Sequence, residues 1–260
     1  MVEKETRAWV AEKRSSLAID CSSCAGLCCV SLYCAKVDGF PENKAAGVPC
    51  KYLEKDFRCR IHDSLKDRGL KGCIAYDCFG AGQKATEIFH SRGEWNENPG
   101  ISTEMFRVFH GIFQLHQMKW FLLEALALAD AEETKEEIRK LIQENEVITG
   151  LAPEEIGDSD IETYRHRVNP ILKEVIRRKA AGHTKASGNR DFTMDILIGF
   201  DFSRQFLGES LFLGADLRDA NVAGADLSKC HFLTQMQINS AKGDSKTKLP
   251  DGLITPEHWF

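Results

Sequence analysis

Nine of the ten cysteines in this 260-residue chain lie in one stretch: Cys21, Cys24, Cys28, Cys29, Cys34, Cys50, Cys59, Cys73 and Cys78. The segment CSSCAGLCC places four thiols within nine residues, and PCKYLEKDFRCRIH and GCIAYDC follow. Packing alone does not account for that density. Thiolates are soft, strong ligands for zinc, iron or an iron–sulfur cluster, and short spacings let one turn of backbone offer two sulfurs to one ion. Metal chemistry is therefore the first expectation for the front third of the chain.

The elements that must position these thiols are short. Residues 3 to 18 read as an amphipathic helix, with Trp9, Val10 and Leu17 on one side, expected to pack on the cysteine module. If CSSCAGLCC were helical, Cys21, Cys24 and Cys28 would fall within an arc of roughly 60°, with Cys29 to one side and free to serve another site. Gly26 makes a loop equally compatible with the pattern. His62, three residues after Cys59, could complete a site, but reads better as a histidine hydrogen-bonded at a helix start. FGAGQ lacks the Lys-Ser/Thr of a phosphate loop, so Gly80 and Gly82 are expected to serve a tight turn after Cys78.

Taken together, CSSCAGLCC, PCKYLEKDFRCRIH and GC resemble the bacterial cysteine-rich domain of the CxxCxxCC type, a zinc- or iron-chelating family. The resemblance covers about residues 21 to 83. It implies Cys21, Cys24, Cys28, Cys29, Cys50, Cys59 and Cys73 as ligands. The chain departs from that pattern in the three residues Ala25 to Leu27 before the double cysteine, and in two extra thiols. These, Cys34 and Cys78, join the candidate set and read equally well as ordinary buried thiols.

Composition sets the outer bounds. Thirty-four basic residues against 39 acidic leave a net charge of −5, which argues against a nucleic-acid binder held by overall charge. The first sixteen residues are charged throughout and lack the apolar run of a signal peptide, so the expectation is a cytoplasmic protein with reduced, metal-binding thiols. In an exported protein the same even count would read as a disulfide framework. The most apolar run, Phe106 to Leu128, holds Arg107, Lys119 and Glu124 and reads as a buried helix, not a membrane span.

Around the thiols the chain looks helical. Ser102 to Ala129 reads as one long central helix, with Thr103 as a candidate cap and apolar residues over most of its circumference; His110 and His116 lie on it as core or interface residues rather than ligands. Glu132 to Glu144 reads as an exposed, charged helix, and Ser159 to Ala181 as a helix that Pro170 would kink or split. Lys173, Arg177, Arg178, Lys179 and Lys185 complement its C-terminal dipole, and Gly182 to Gly188 reads as a flexible link.

From Arg190 to Thr234 the sequence divides into nine fives: RDFTM, DILIG, FDFSR, QFLGE, SLFLG, ADLRD, ANVAG, ADLSK, CHFLT. Each third position is large and apolar, and Ser210, Ala215, Ala220, Ala225 and Cys230 stand two places before it. Neither a helix nor a strand has that period, whereas a coil of four five-residue sides turns one large and one small residue inward per side. Cys230 is then a small packed residue. The pattern resembles the pentapeptide-repeat family, which implies a right-handed quadrilateral β-helix, here a little over two coils and about 10 Å tall. Residues 235 to 260 break the register and are expected to cap the coil, with Trp259 or Phe260 over its end.

The expected fold class is α+β multidomain: a cysteine-rich metal-binding module over residues 1–100, a helical domain over 101–185 and a short β-helix over 186–260. The expected function is a non-enzymatic protein that binds zinc or iron and offers the repeat as a scaffold or protein-interaction surface, with no membrane or nucleic-acid partner. The alternatives are an iron–sulfur redox protein or enzyme and, since some pentapeptide-repeat proteins resemble duplex DNA, a topoisomerase-binding mimic. Seven acidic against four basic residues over two coils is a weak charge excess for such a mimic.

Overall fold

A computed structural model describes residues 2–181 and 189–260, with only the backbone of residues 2–7 and 159. The expected link Gly182 to Gly188, with Lys185, lies outside the described residues. Two compact units form: Met1–Gly72 with Asp77–Ile171, and Cys73–Tyr76 with Leu172–Phe260.

The first unit is built on one long helix. Its α-helices are α1 (Val2–Ser15), α2 (Leu27–Ser31), α4 (Ala81–Phe89), α5 (Pro99–Leu128) and α6 (Glu132–Ile148), with α3 (Lys71–Ala75) and α7 (Asp158–Ala181) running from one unit into the other. In α5, Val108, Phe109, Ile112, Leu115, Leu122 and Leu123 are wholly buried, because α1, α2, α4 and α6 all pack around it. Its cap is Asn98, not Thr103: the Asn98 side chain accepts a hydrogen bond from Gly100 N, with Pro99 at the first helical position. Thr103 instead donates back to Pro99 O.

Among the helices, α1 packs on α5. Arg14 pairs with Glu124, and its guanidinium lies 4.9 Å from the Trp120 ring. Asn145 Nδ2 donates to Leu115 O (2.9 Å) and Tyr164 Oη to Leu141 O (2.8 Å), tying α6 to α5 and α7 to α6 through buried hydrogen bonds. Pro170 sits inside α7, which is assigned as one continuous helix. No helix among the described residues is long and apolar enough to cross a membrane.

In the second unit the repeats wind as a coil. Parallel bridges join residues twenty apart, Asp191 with Leu211, Ile196 with Asp216, Asp201 with Asn221 and Phe206 with Asp226. The inward residues follow the sequence pattern: Phe202, Leu207, Phe212, Leu217, Val222 and Leu227 are at most 2% exposed, as are the small Ser210, Ala220, Ala225 and Cys230.

The strands do not follow. The expectation of a right-handed quadrilateral β-helix, and with it the α+β class, is corrected: among the described residues only isolated bridges form, and no strand or sheet. The reason is local. At each corner the N–H of the residue three places after the large one bonds the large residue's carbonyl, as in Asp195 to Phe192, Ala215 to Phe212 and Ala220 to Leu217. The residue between them in the left-handed region is Met194, Gly199, Arg204, Gly214, Asp219 or Gly224. Turns therefore consume most of every five residues, and one bridge per side is what remains.

Past the repeats, Thr234 and Gln237 cap α8 (Gln235–Ser240) reciprocally. The chain then rejoins the coil, with Lys242 bridging Asn221 and Lys248 bridging Asp226, offset from the twenty-residue register by α8. Trp259 completes this end, donating from Nε1 to Ala241 O at 3.0 Å, while Phe260 is 65% exposed.

Candidate metal centre

All ten cysteines are free thiols. CSSCAGLCC is neither one helix nor one loop: Cys21–Ser23 form a 3-10 turn capped by Asp20, and α2 begins after Gly26, whose φ of 67° breaks the chain direction between them. A side chain on Gly26 would also meet Leu53 and the Phe57 carbonyl, so the turn is docked closely on the loop before Cys59. Thr86 Oγ1 accepts from Ala25 N (2.9 Å) and Trp95 Nε1 donates to Ala25 O (2.8 Å), which fix the same turn to α4 and to the segment before α5.

The first thiols gather at α4. A Cβ built on Gly82 would stand 2.6 Å from Cys24 Sγ and 3.8 Å from Cys78 Sγ, so both sulfurs crowd this glycine. Gly80, with φ of 73°, makes the expected turn after Cys78; the part played by Gly82 is instead to leave room for sulfur. Burial pushes the Cys78 thiol up to about 12, and desolvation, then the nearby Cys28 and Cys24, push Cys21 up to about 11, although Cys21 as a residue is exposed. The Cys28 thiol is hydrogen-bonded to Cys29 and raised well above the ordinary range by that bond and by burial.

The remaining thiols lie on the loops after α2. Cys50 N donates to Cys29 O at 2.9 Å, Cys34 and Lys44 exchange backbone hydrogen bonds, and Leu53 bridges Cys59. Cys34 and Cys59 are raised chiefly by burial, and each also feels Cys50 and Cys28. Cys28 is among the groups that raise Cys21, Cys24, Cys34, Cys59 and Cys78. Cys73 is exposed, in α3, and belongs to the second unit.

His62 is exposed, with Nδ1 3.7 Å from Asp63 Oδ1. His116 is buried and its Nδ1 is 2.7 Å from Phe79 O, a core histidine as its helix position implied; burial pushes it down to about 4. His110 is held low by burial and faces the Ser31 backbone.

Two cations that spacing gave no reason to single out lie among the thiols. Arg58 donates through Nη1 to Cys21 O and to Cys24 O (3.0 Å), and through Nη2 to Ser22 O. Lys44 Nζ donates to Leu32 O (2.6 Å), Val48 O (2.8 Å), Val30 O (3.2 Å) and Ala45 O (3.2 Å). Reduced soft donors held by cations suit a thiolate-bound metal in chemistry. In geometry the expected metal-binding module is corrected: among the described residues no three His, Cys, Asp or Glu side chains stand together as an ion would need them.

Comparison with known proteins adds two findings. The family model "Pentapeptide repeats" matches residues 196–232 with eight copies, within the nine fives read from sequence. The protein described as "Uncharacterized protein YybG" from Bacillus subtilis (strain 168) is 38% identical over 266 residues, spanning 94% of this chain and 95% of that one. The chain belongs to the YybG family. The match runs nearly end to end, across both the cysteine-bearing and the repeat-bearing parts of this chain. No solved structure matches this member.

Proposed function

We propose that this YybG-family protein is a repeat scaffold whose first unit takes up zinc or iron through clustered thiols, and whose coil offers a docking surface to a protein partner. The observation that carries the reading is the crowding of the Cys24 and Cys78 sulfurs against Gly82, in the same stretch as the Cys21 turn and the adjacent Cys28 and Cys29. Loops that are polar and short on apolar burial gain most from a metal that ties them, since binding energy of this kind is also folding energy. Bound zinc or iron would supply the charge that keeps the sulfurs as thiolates and draws them in. The ligands would be drawn from Cys21, Cys24, Cys28, Cys29, Cys34, Cys50, Cys59, Cys73 and Cys78, about four to each ion. The resemblance to the CxxCxxCC family supports the same reading.

The coil supports a scaffold better than a DNA mimic. Four of its seven acids, Asp191, Asp201, Asp216 and Asp226, spend a carboxylate oxygen on the backbone N–H two residues on, so they cap turns as well as charge the surface.

The test is metal analysis with an ultraviolet–visible spectrum on protein purified anaerobically from its own host. Bound zinc or iron without intense visible bands supports the reading. Brown charge-transfer absorption with inorganic sulfide would replace it with an iron–sulfur protein, and a metal-free chain of unchanged stability would end it.

A further inference from the structure

On the side of the coil that carries Ile196, the second circuit turns polar residues outward and the first does not. Met194, Ile196 and Ile198 are 72%, 81% and 50% exposed, and Phe200 beside them is exposed as well. Twenty residues on, the same column holds Gly214, Asp216 and Arg218, the last two joined by an ion pair at 2.6 Å. The apolar row is thus confined to the first circuit.

The same side is an open edge. Leu197 N donates to Asp216 O and Asp216 N to Asp195 O, so both bonds of this bridge run from the residues flanking Ile196 to the circuit that follows. The N–H and C=O of Ile196 itself point the other way, and among the described residues they have no hydrogen-bond partner. The other three sides are blunted. Asp191 and Asp201 place a carboxylate at the equivalent position, and on the Phe206 side Glu209 is held by Lys179 of α7 at 2.8 Å. An apolar edge with free backbone groups is a template for pairing.

We propose that the Ile196 edge is the interface of a homodimer, in which two copies pair antiparallel about a twofold axis beside Ile196. A self-match selects a second copy over an unrelated partner. An antiparallel hydrogen-bonded pair takes one N–H and one C=O from each residue, and Ile196 has one of each to give. With Ile196 on the axis, residues equally far before and after it face each other, so Met194 of each copy lies opposite Ile198 of the other. Apolar meets apolar at all three positions. Asp195, the acid in this row, falls opposite Leu197 and not opposite its own copy. The inference rests on reading the coil as a docking surface and deepens it by naming the occupant; it makes no use of the metal.

The experiment is sedimentation equilibrium of the full-length chain, with a thiol reductant present, over a range of concentrations. The unaltered chain should show a monomer–dimer equilibrium. Ile196→Asp should raise the dissociation constant about tenfold or more, by bringing like charges together on the axis, with its circular dichroism unchanged. Ile254→Asp, at an apolar residue 75% exposed beyond the repeats, should leave the constant as it was. Mixing Ile196→Asp with Ile196→Lys should restore a dimer with one copy of each, a result that loss of folding does not produce. Where the charged variants lose their fold, Ile196→Thr serves in their place, keeping the branched side chain while removing apolar surface. A chain that stays monomeric at every concentration overturns the homodimer and leaves docking of a different protein on the coil standing. A dimer that Ile196→Asp does not weaken, or that Ile254→Asp weakens equally, overturns the interface. Failure of the mixed pair to recover overturns the twofold axis at Ile196.

Discussion

Cys24 and Gly82 are packed so closely that no side chain fits between them: a Cβ on Gly82 would stand 2.6 Å from the Cys24 sulfur. Gly82→Ala should therefore push the Cys24 thiol aside and destabilise the first unit by about 1–3 kcal/mol, the usual cost of overpacking. The urea midpoint of the metal-free chain measures the loss. Faster modification of Cys24 by a thiol reagent in the variant would locate it, and an unchanged midpoint and unchanged rate would show that the sulfur moves away freely.

Inside the coil, position decides the outcome. Leu217 is 2% exposed and Ile196 is 81% exposed, although both lie in repeats. Leu217→Asp buries an unpaired carboxylate and should cost about 4 kcal/mol or more, while Ile196→Asp should stay within about 0.5 kcal/mol. Limited proteolysis of residues 190–260 distinguishes the two, and equal sensitivity would mean that the inward and outward positions are misassigned.

Lys119 is nearly buried, its side chain 7% exposed, with Nζ 2.8 Å from Glu146 Oε1, and Lys13 binds the other oxygen at 3.0 Å. Glu146→Gln leaves the Lys119 ammonium without its counter-charge and should cost about 3 kcal/mol, whereas adding Lys119→Met to that variant should recover much of the loss. A double-mutant cycle on urea midpoints reads the coupling; additive losses would make the pair a surface contact in energy.

His116 should make stability fall in mild acid. Burial holds its folded value at about 4 against an ordinary 6.5, with Lys119 and Lys84 adding to the depression, so the unfolded chain binds the extra proton between those limits. Stability from this group is intact above pH 6.5, declines as pH falls through that window and levels off below about 4. From pH 7 to 5 the loss should be about 2 kcal/mol, and His116→Gln should flatten it. The same decline in the variant would assign the effect elsewhere.

How much of this was legible in the sequence depends on how local the cause is. Inward and outward positions of the coil could be read directly, because Leu217 and Ala220 carry the size rule in their own identity. The missing strands could not, since they follow from hydrogen bonds at every corner, such as Asp195 N to Phe192 O, that occupy the residues a strand would use. Density of cysteine marked one stretch, but Cys73 and Cys78 are five residues apart and fall in different units, a distinction that no spacing carries. Asn98 rather than Thr103 starts α5 because Asn-Pro supplies both a side-chain cap and a first helical residue with no N–H to satisfy. Arg58 and Lys44 looked like ordinary surface charges, since their partners are backbone carbonyls, which a sequence does not distinguish.

The twenty-residue spacing of the bridges also limits how such a protein can change length. Inserting a single block of five would rotate everything downstream by a quarter turn and carry each outward side chain to the neighbouring side. Only whole circuits lengthen the stack while leaving every column of surface residues aligned, so growth or loss at this end of the chain is quantised.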